Sequence, residues 1–396
     1  MSVQRSGAGN GAGLVLLRLA LGLVLLAACT SGQQSSYGLD GTERLRAGSG
    51  VVVRWTLAVD PSGSRYVPIE QAAPAVDPRA RRVYVGSTEG TLWALDADDG
   101  KKRYGYRANA AIEAQPAVDS QRDEVYATTV TGQLVALQGA SGALRWKAEA
   151  DGSISQPALL SEDAVYVVTD TDLVVAFARN DGKVLWRYRR EPHEGFAIAG
   201  HAGLALAGSK LLTGFGDGVV VALDSSDGRL LWEADTSVDL EDLDPTRRFT
   251  DIDTTPLVVD DTVYVASFSG GLYALELANG SVRAHEGGLR GATGLTATQD
   301  ALIIASAERG VVCLDLPSLS LRWQRALPGG APSLPLVRGD RVYVSESLGA
   351  LLALGLADGR ELGRLQTRHG FTAPAMLDGH RGFALSNAGT LYAFAY

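Results

Sequence analysis

Val83-Tyr-Val-Gly-Ser-Thr-Glu-Gly-Thr-Leu-Trp-Ala-Leu-Asp96 decides the fold of this 396-residue chain, because the sequence repeats it. Val125-Tyr-Ala-Thr-Thr-Val-Thr-Gly-Gln-Leu-Val-Ala-Leu137, Val263-Tyr-Val-Ala-Ser-Phe-Ser-Gly-Gly-Leu-Tyr-Ala-Leu275 and Val342-Tyr-Val-Ser-Glu-Ser-Leu-Gly-Ala-Leu-Leu-Ala-Leu354 follow the same plan. Each is an apolar strand, a turn with glycine, then a second strand that ends on an apolar anchor. The anchors are Leu95, Leu137, Phe177, Leu223, Leu275, Leu314, Leu354 and Phe394. Most are about 40 residues apart, the length of one propeller blade.

Working outward from the anchors, the rest of each unit falls into place. Past the anchor comes Asp-x-x-x-Gly or a relative, and an aromatic residue stands four positions beyond the glycine. Gly142 leads to Trp146, Gly182 to Trp186, Gly228 to Trp232 and Gly100 to Tyr104, while in the sixth unit Leu319 precedes Trp323. Ahead of the Val-Tyr-Val-like strand lies a shorter strand, usually marked by proline: Pro74, Pro116, Pro157, Pro256, Pro335 and Pro374. The fourth and sixth units carry Gly203 and Gly294 there. Proline has no N–H to give a ladder, so it belongs on a strand at a sheet edge, such as the one lining a propeller channel. The expected fold is all-β: an eight-bladed propeller of four-stranded antiparallel blades over residues 51–396. The last unit supplies only three strands, around residues 373–377, 382–386 and 390–395. Val51-Val-Val-Arg-Trp55-Thr-Leu-Ala58 is an orphan outer strand, which should complete blade eight and close the ring. Closure leaves no long exposed edge.

The N-terminus reads as an address. Arg5 and Arg18 precede the apolar run Leu19–Ala28, which is shorter than the roughly 20 residues a membrane span needs. It ends Leu26-Ala27-Ala28-Cys29, which resembles the bacterial lipobox, whose cysteine becomes the acylated first residue. Residues 1–28 are expected to be a lipoprotein signal peptide. Residues 29–50, rich in Gly, Ser and Gln, are expected to form a flexible tether lipidated at Cys29. In the Gram-negative lipoproteins that this segment resembles, an Asp after the cysteine favours inner-membrane retention, so the resemblance, with Thr30 in that place, implies the outer membrane. Cys313, the other cysteine, sits in an apolar strand and reads as a small buried hydrophobe. A disulfide framework is excluded if Cys29 carries lipid.

The repeat resembles the pyrroloquinoline-quinone (PQQ) type of blade, Ala-Leu-Asp-x-x-x-Gly-x-x-x-Trp, seen best in Ala222-Leu-Asp-Ser-Ser-Asp-Gly-Arg-Leu-Leu-Trp232. Two families share it, the quinoprotein dehydrogenases and the outer-membrane assembly lipoproteins of the BamB family. With the lipobox, the length and the eight units, the chain resembles the second. Phe249-Thr-Asp-Ile-Asp-Thr-Thr-Pro256 matches that family's Ser/Thr-Asp-x-Asp-Thr-Thr-Pro segment before blade five. The resemblance implies a scaffold tethered to the outer membrane and facing the periplasm. It would bind the POTRA domains of the BamA-type barrel insertase and help unfolded outer-membrane protein clients. It also implies a partner face, Asp251 and Asp253 with Arg248 close by, and an apolar-x-apolar-Arg segment. The latter aligns with Phe196-Ala-Ile198-Ala199, where Ala199 replaces the arginine. The two longest anchor spacings place extra residues in 187–200 and 235–254, the loops that carry these positions. Phe196 and Ile198 would act as apolar anchors, and Asp251 and Asp253 as acceptors for the partner's Arg or Lys. From the residues alone, the aspartates read first as turn caps, and the apolar pair reads equally as packing between blades.

Other functions find less support. A net charge of −9, nearer −11 once Arg5 and Arg18 are gone, does not suit non-specific nucleic-acid binding. Asp239-Leu-Glu-Asp-Leu-Asp244 lacks the glycine and terminal Glu of an EF-hand loop, and His193, His201, His285, His369 and His380 lack zinc spacing. No catalytic residue, metal or cofactor is therefore assigned. A quinoprotein needs a calcium site, a catalytic Asp and, in many members, vicinal cysteines, which Cys29 and Cys313 cannot form. Such an enzyme, or a scaffold or sugar binder of another envelope complex, stays open at this point.

Overall fold

The computed structural model of the chain describes residues 46–47, 51–59, 69–191, 202–237 and 249–396. These form strands and turns arranged as eight antiparallel sheets. Blade one runs Ala75–Asp77, Arg82–Val85, Thr91–Asp96 and Lys102–Arg107. The first strands of successive blades lie against one another, which puts them at the centre and the fourth strands at the rim. Blades four and five, which matter below, run from Ala205–Ala207 to Leu230–Asp235 and from Leu257–Val259 to Val282–Glu286.

Closure is as the sequence predicts. Val52–Ala58 pairs antiparallel with Thr390–Ala395, with Val53 opposite Phe394 and Trp55 opposite Ala393 across a bulge. One pairing was not expected. Arg46–Ala47 adds a fifth strand to blade seven, with Arg46 opposite Gln366 and Ala47 opposite Leu365, so strand pairing starts inside the segment read as tether.

The second and third strands are buried on both faces, because each blade is sandwiched between two others. They therefore read as continuous apolar runs such as Leu173–Ala178 rather than alternating ones. The rim strands alternate, as in Val184–Arg189, where Trp186 is buried and its neighbours are exposed. Buried side chains gather into eight clusters, one for each seam between neighbouring blades. The seam between blades eight and one, with Phe383 and Leu391 facing Val83 and Leu95, is packed like the others.

A repeated latch crosses these seams. The indole N–H of Trp186 donates to the Ser225 carbonyl of the next blade at 3.1 Å, and its ring covers Gly228 so closely that an added Cβ would lie 2.5 Å from Cε3. Trp146 donates to Arg179 at 2.8 Å over Gly182, Trp232 to Leu277 at 3.1 Å over Gly280, and Trp323 to Leu356 at 2.8 Å over Gly359. Trp55 does the same across the closing seam, to Ala97 at 3.3 Å over Gly100, and Tyr104 substitutes its hydroxyl, to Gly139 at 2.9 Å over Gly142. The glycine is required twice over. Its φ is near +72 to +77° at most of these turns, and the ring leaves no room for a side chain.

Candidate functional site

The Asp-x-Asp segment lies on the seam between blades four and five and is stitched to both. Towards blade four, Thr250 Oγ1 donates to the Gly216 carbonyl at 2.9 Å and the Ile252 N–H to the Phe215 carbonyl at 3.2 Å. Towards blade five, the Phe249 N–H donates to Ser269 Oγ at 3.0 Å and the Asp253 N–H to the Ala266 carbonyl at 3.2 Å. Thr254 Oγ1 accepts from the Ala266 N–H at 2.8 Å, and the Phe249 and Phe268 rings meet edge to face at 6.2 Å.

Ile252 bridges to Ser267 in extended conformation. Alternate side chains of an extended chain share a face, so Asp251 and Asp253 project together while Ile252 points the other way. Ile252 enters the buried cluster between blades four and five, in space that Gly214 leaves open; a Cβ there would lie 2.4 Å from the Ile252 Cβ. The hydrophobic side of the segment thus fixes the orientation of its acidic side.

The acidic side is beneath the surface. Asp251 is only 4% exposed, and both carboxyl oxygens of Asp253 are buried with no well-formed hydrogen bond. Burial, and then the adjacent Asp251 carboxyl, push the Asp253 pKa up to about 9, and the Phe268 backbone N–H opposes this too weakly to cancel it. Thr255, two residues on, is exposed.

A polar bridge marks the preceding seam. Arg190, just past the rim strand of blade three, pairs with Asp217 and, at 3.1 Å, with Glu233 of blade four. Tyr188 stacks on Phe215 with ring centroids 6.2 Å apart. Tyr188, Arg189, Arg190, Glu191 and Asp217 line a shallow groove of about 350 Å³. Sequence reasoning missed this bridge, since its partners are 27 and 43 residues apart and no local pattern connects them.

Of the residues singled out from the sequence, Asp251 and Asp253 are brought side by side. Phe196, Ile198, Arg248 and Cys29 lie outside the described residues, as do Ala199, His193, His201 and residues 239–244. Cys313 is a buried free thiol whose pKa burial pushes up to about 11, which suits the packing role predicted for it. His285 stacks on Tyr273 at 4.1 Å and pairs with the Gly270 carbonyl at 2.7 Å. Among the described residues no three His, Cys, Asp or Glu side chains gather as a metal-ligand set.

Fold and blade signature together define an eight-bladed propeller of the PQQ-like class. A family model described as outer membrane protein assembly factor BamB matches residues 118–294 and 285–394. The chain belongs to that family. A curated relative from Yersinia pestis, an outer membrane protein assembly factor BamB, is 25% identical over 256 residues, 62% of each chain. Another of that name from Legionella pneumophila is 29% identical over 189 residues, 46% of this chain and 47% of its own length. The chain therefore spans about half to three fifths of the curated relatives it matches. The crystal structure of BamB from Moraxella catarrhalis superposes with a TM-score of 0.74 at 24% identity, over 87% of this chain and all of that one. A quinohemoprotein alcohol dehydrogenase from Pseudomonas putida superposes at 0.67 with 14% identity, over 87% of this chain and 76% of its own. At those identities the two structures share the fold and nothing further is carried over.

Proposed function

We propose that the chain is a non-enzymatic lipoprotein scaffold of outer-membrane β-barrel assembly, docking on the POTRA domains of a BamA-type insertase and aiding its clients. The observation that carries this is the family match through residues 118–394, which includes the Asp-x-Asp segment at the blade-four/blade-five seam. Acyl chains on Cys29 hold the protein to the outer membrane, and the propeller faces the periplasm. The partner's Arg or Lys engages Asp251 and Asp253, and Phe196 and Ile198 supply apolar anchors.

Burial of the pair decides how this is tested. Charge reversal would put an unpaired cation beneath the surface and destabilise the seam by several kcal/mol, roughly the cost of any unpaired buried charge. Asp251→Asn and Asp253→Asn keep the shape and remove only the charge. The test is affinity capture of the mature chain from an envelope extract, with partners identified by mass. A barrel insertase is expected with the wild type and is depleted with the double Asn variant. An insertase absent from the wild-type eluate contradicts the proposal.

A further inference from the structure

The fourth strands of blades one, two and three stand apart in this acidic chain. Lys102–Arg107, Leu144–Glu149 and Val184–Arg189 carry seven Lys or Arg side chains and one acid, Glu149, in a chain of net charge −9. Blade four ends the run, because its fourth strand, Leu230–Asp235, has two acids and no base. Alternation exposes the charges. Trp146 and Trp186 are buried against the next blade, so Arg145, Lys147, Leu185 and Arg187 beside them point the other way, into solvent. Part of the charge is answered within the chain. Arg103 pairs with Asp96 and Arg145 with Glu124, and Arg189 reaches Asp151 at 3.4 Å. Lys102 donates to the Val59 carbonyl and lies over the Trp93 ring. Arg107, Lys147 and Arg187, one on each blade, are exposed and have no ion pair among the described residues. Exposed aliphatic side chains lie among them: Leu144 is 48% and Leu185 52% exposed.

We propose that the rim of blades one to three is a lipid-binding surface. In the anchored, undocked chain it turns to the membrane, with Arg107, Lys147 and Arg187 at anionic phospholipid headgroups and Leu144 and Leu185 at the interface. The inference rests on the lipid anchor at Cys29 read above and adds an orientation to it. An acidic partner chain answers the cations; an anionic lipid surface answers both the cations and the aliphatic side chains among them. Sixteen residues lie between Cys29 and Arg46, where strand pairing starts. Fully extended, they span up to about 55 Å. Two four-stranded blades and the channel between them are roughly 50 Å across. The anchor therefore lets any side of the ring reach the membrane, and charge selects the side. Blades one and three stand an eighth of a turn to either side of blade two. When blade two faces a flat surface their rims recede by about 7 Å, within the roughly 8 Å screening length at physiological salt. Each Lys or Arg at an anionic surface favours that orientation about five-fold; with Glu149 opposing, the net bias is roughly ten- to a hundred-fold. The rim and the loop end that carries Asp251 and Asp253 are different sides of the ring. The docking seam then faces along the membrane, towards an insertase held in the same membrane.

Two labelled positions test this. Ser141 and Ser318 are exposed in equivalent turns of blades two and six, on opposite sides of the ring, and the buried Cys313 is shielded from the label. Ser141→Cys or Ser318→Cys carries a fluorophore. The acylated mature chain is placed in phosphatidylcholine vesicles that contain nitroxide-headgroup lipid, with or without phosphatidylglycerol. With phosphatidylglycerol, the label at 141 is quenched several-fold more than the label at 318. The difference disappears without phosphatidylglycerol, in high salt, and when Arg107→Gln, Lys147→Gln and Arg187→Gln are combined, while the chain stays on the vesicles. Equal quenching at the two positions with phosphatidylglycerol present, or a difference that survives the triple variant, overturns the proposal and leaves the anchor standing. Equal quenching together with a photo-crosslink from position 141 to a protein in cells assigns the rim to that protein instead. A second arm replaces the acyl anchor by a hexahistidine tag at residue 29, held on nickel-chelating lipid, and reads the same labels. An acylated preparation that leaves the vesicles contradicts the anchor alone, and the tagged chain still decides whether the rim turns to lipid.

Discussion

Gly228 and Gly208 belong to the same blade and both have positive φ, +75° and +60°, but their surroundings differ. A Cβ on Gly228 would strike the Trp186 ring at 2.5 Å, while a Cβ on Gly208 would meet nothing within 4 Å. Gly208→Ala should therefore cost only the backbone penalty, about 1 to 2 kcal/mol. Gly228→Ala adds displacement of a buried indole and loss of its hydrogen bond, and should cost at least about 2 kcal/mol more. Denaturant unfolding of the two variants checks the difference. Asp253 gives a prediction with a sign. The folded chain binds its proton more tightly than the unfolded chain, whose ordinary carboxylate value is 3.8. The stability this gives is complete below about pH 4 and is lost as pH rises towards about 9. Asp253→Asn has no proton to lose, so its stability relative to wild type should improve steadily from pH 5 to pH 8. A difference independent of pH would show that the pair is already ionised. The spacing of the aspartates was legible in the sequence, as was their place before blade five. Their burial was not, because it depends on Gly214, Phe215 and Ser267, which come from other turns.

The seam between blades five and six departs from the repeat at two positions. Ala284 stands where five blades have tryptophan, opposite Ala274, and Leu319 stands where the next blade has glycine. Leu319 nevertheless keeps the turn, with φ +55° and its N–H donated to the Asp315 carbonyl at 2.8 Å. Both side chains pack against the same buried cluster, so the leucine lies in the seam from which the ring is missing. The two replacements are one exchange of volume across a seam. Ala284→Trp alone overfills it, and Leu319→Gly alone leaves it underfilled; each should destabilise by about 1 to 3 kcal/mol. The double variant restores the latch and should recover most of the loss, with a coupling of roughly 0.5 to 3 kcal/mol in a double-mutant cycle. Simple additivity would show that the positions do not share space. The aromatic and the glycine were each visible in the sequence as landmarks of one unit. Their partnership was not, since the ring of one unit covers the glycine of the next, which a reading unit by unit does not see.

At the scale of the molecule, the ring depends on its first long strand. Val52–Ala58 completes blade eight, and Trp55 latches onto Ala97 of blade one. Removing residues 51–59 leaves Thr390–Ala395 with an unpaired edge and opens the packed seam between Phe383 and Val83. Unlike a linear solenoid, a closed ring loses both neighbours of one seam together. The truncated chain should therefore lose its single cooperative thermal transition rather than shed one blade; an unchanged transition would show that closure carries no weight. This closure was legible in full, because Trp55 appears before any blade that could own it, and the last unit stops one strand short. The added pairing of Arg46–Ala47 was not, as two residues carry no periodicity.

Docking at the blade-four/blade-five seam is tested most directly by a photo-crosslinking residue introduced in the living cell, once at Thr255 and once at Ser209. Thr255 is exposed beside the aspartate pair; Ser209 is exposed at the turn between the first and second strands of blade four, at the opposite end of the strands. The account predicts a covalent adduct with the barrel insertase from Thr255 and none from Ser209. An adduct from Ser209 alone, or from neither position, would contradict it.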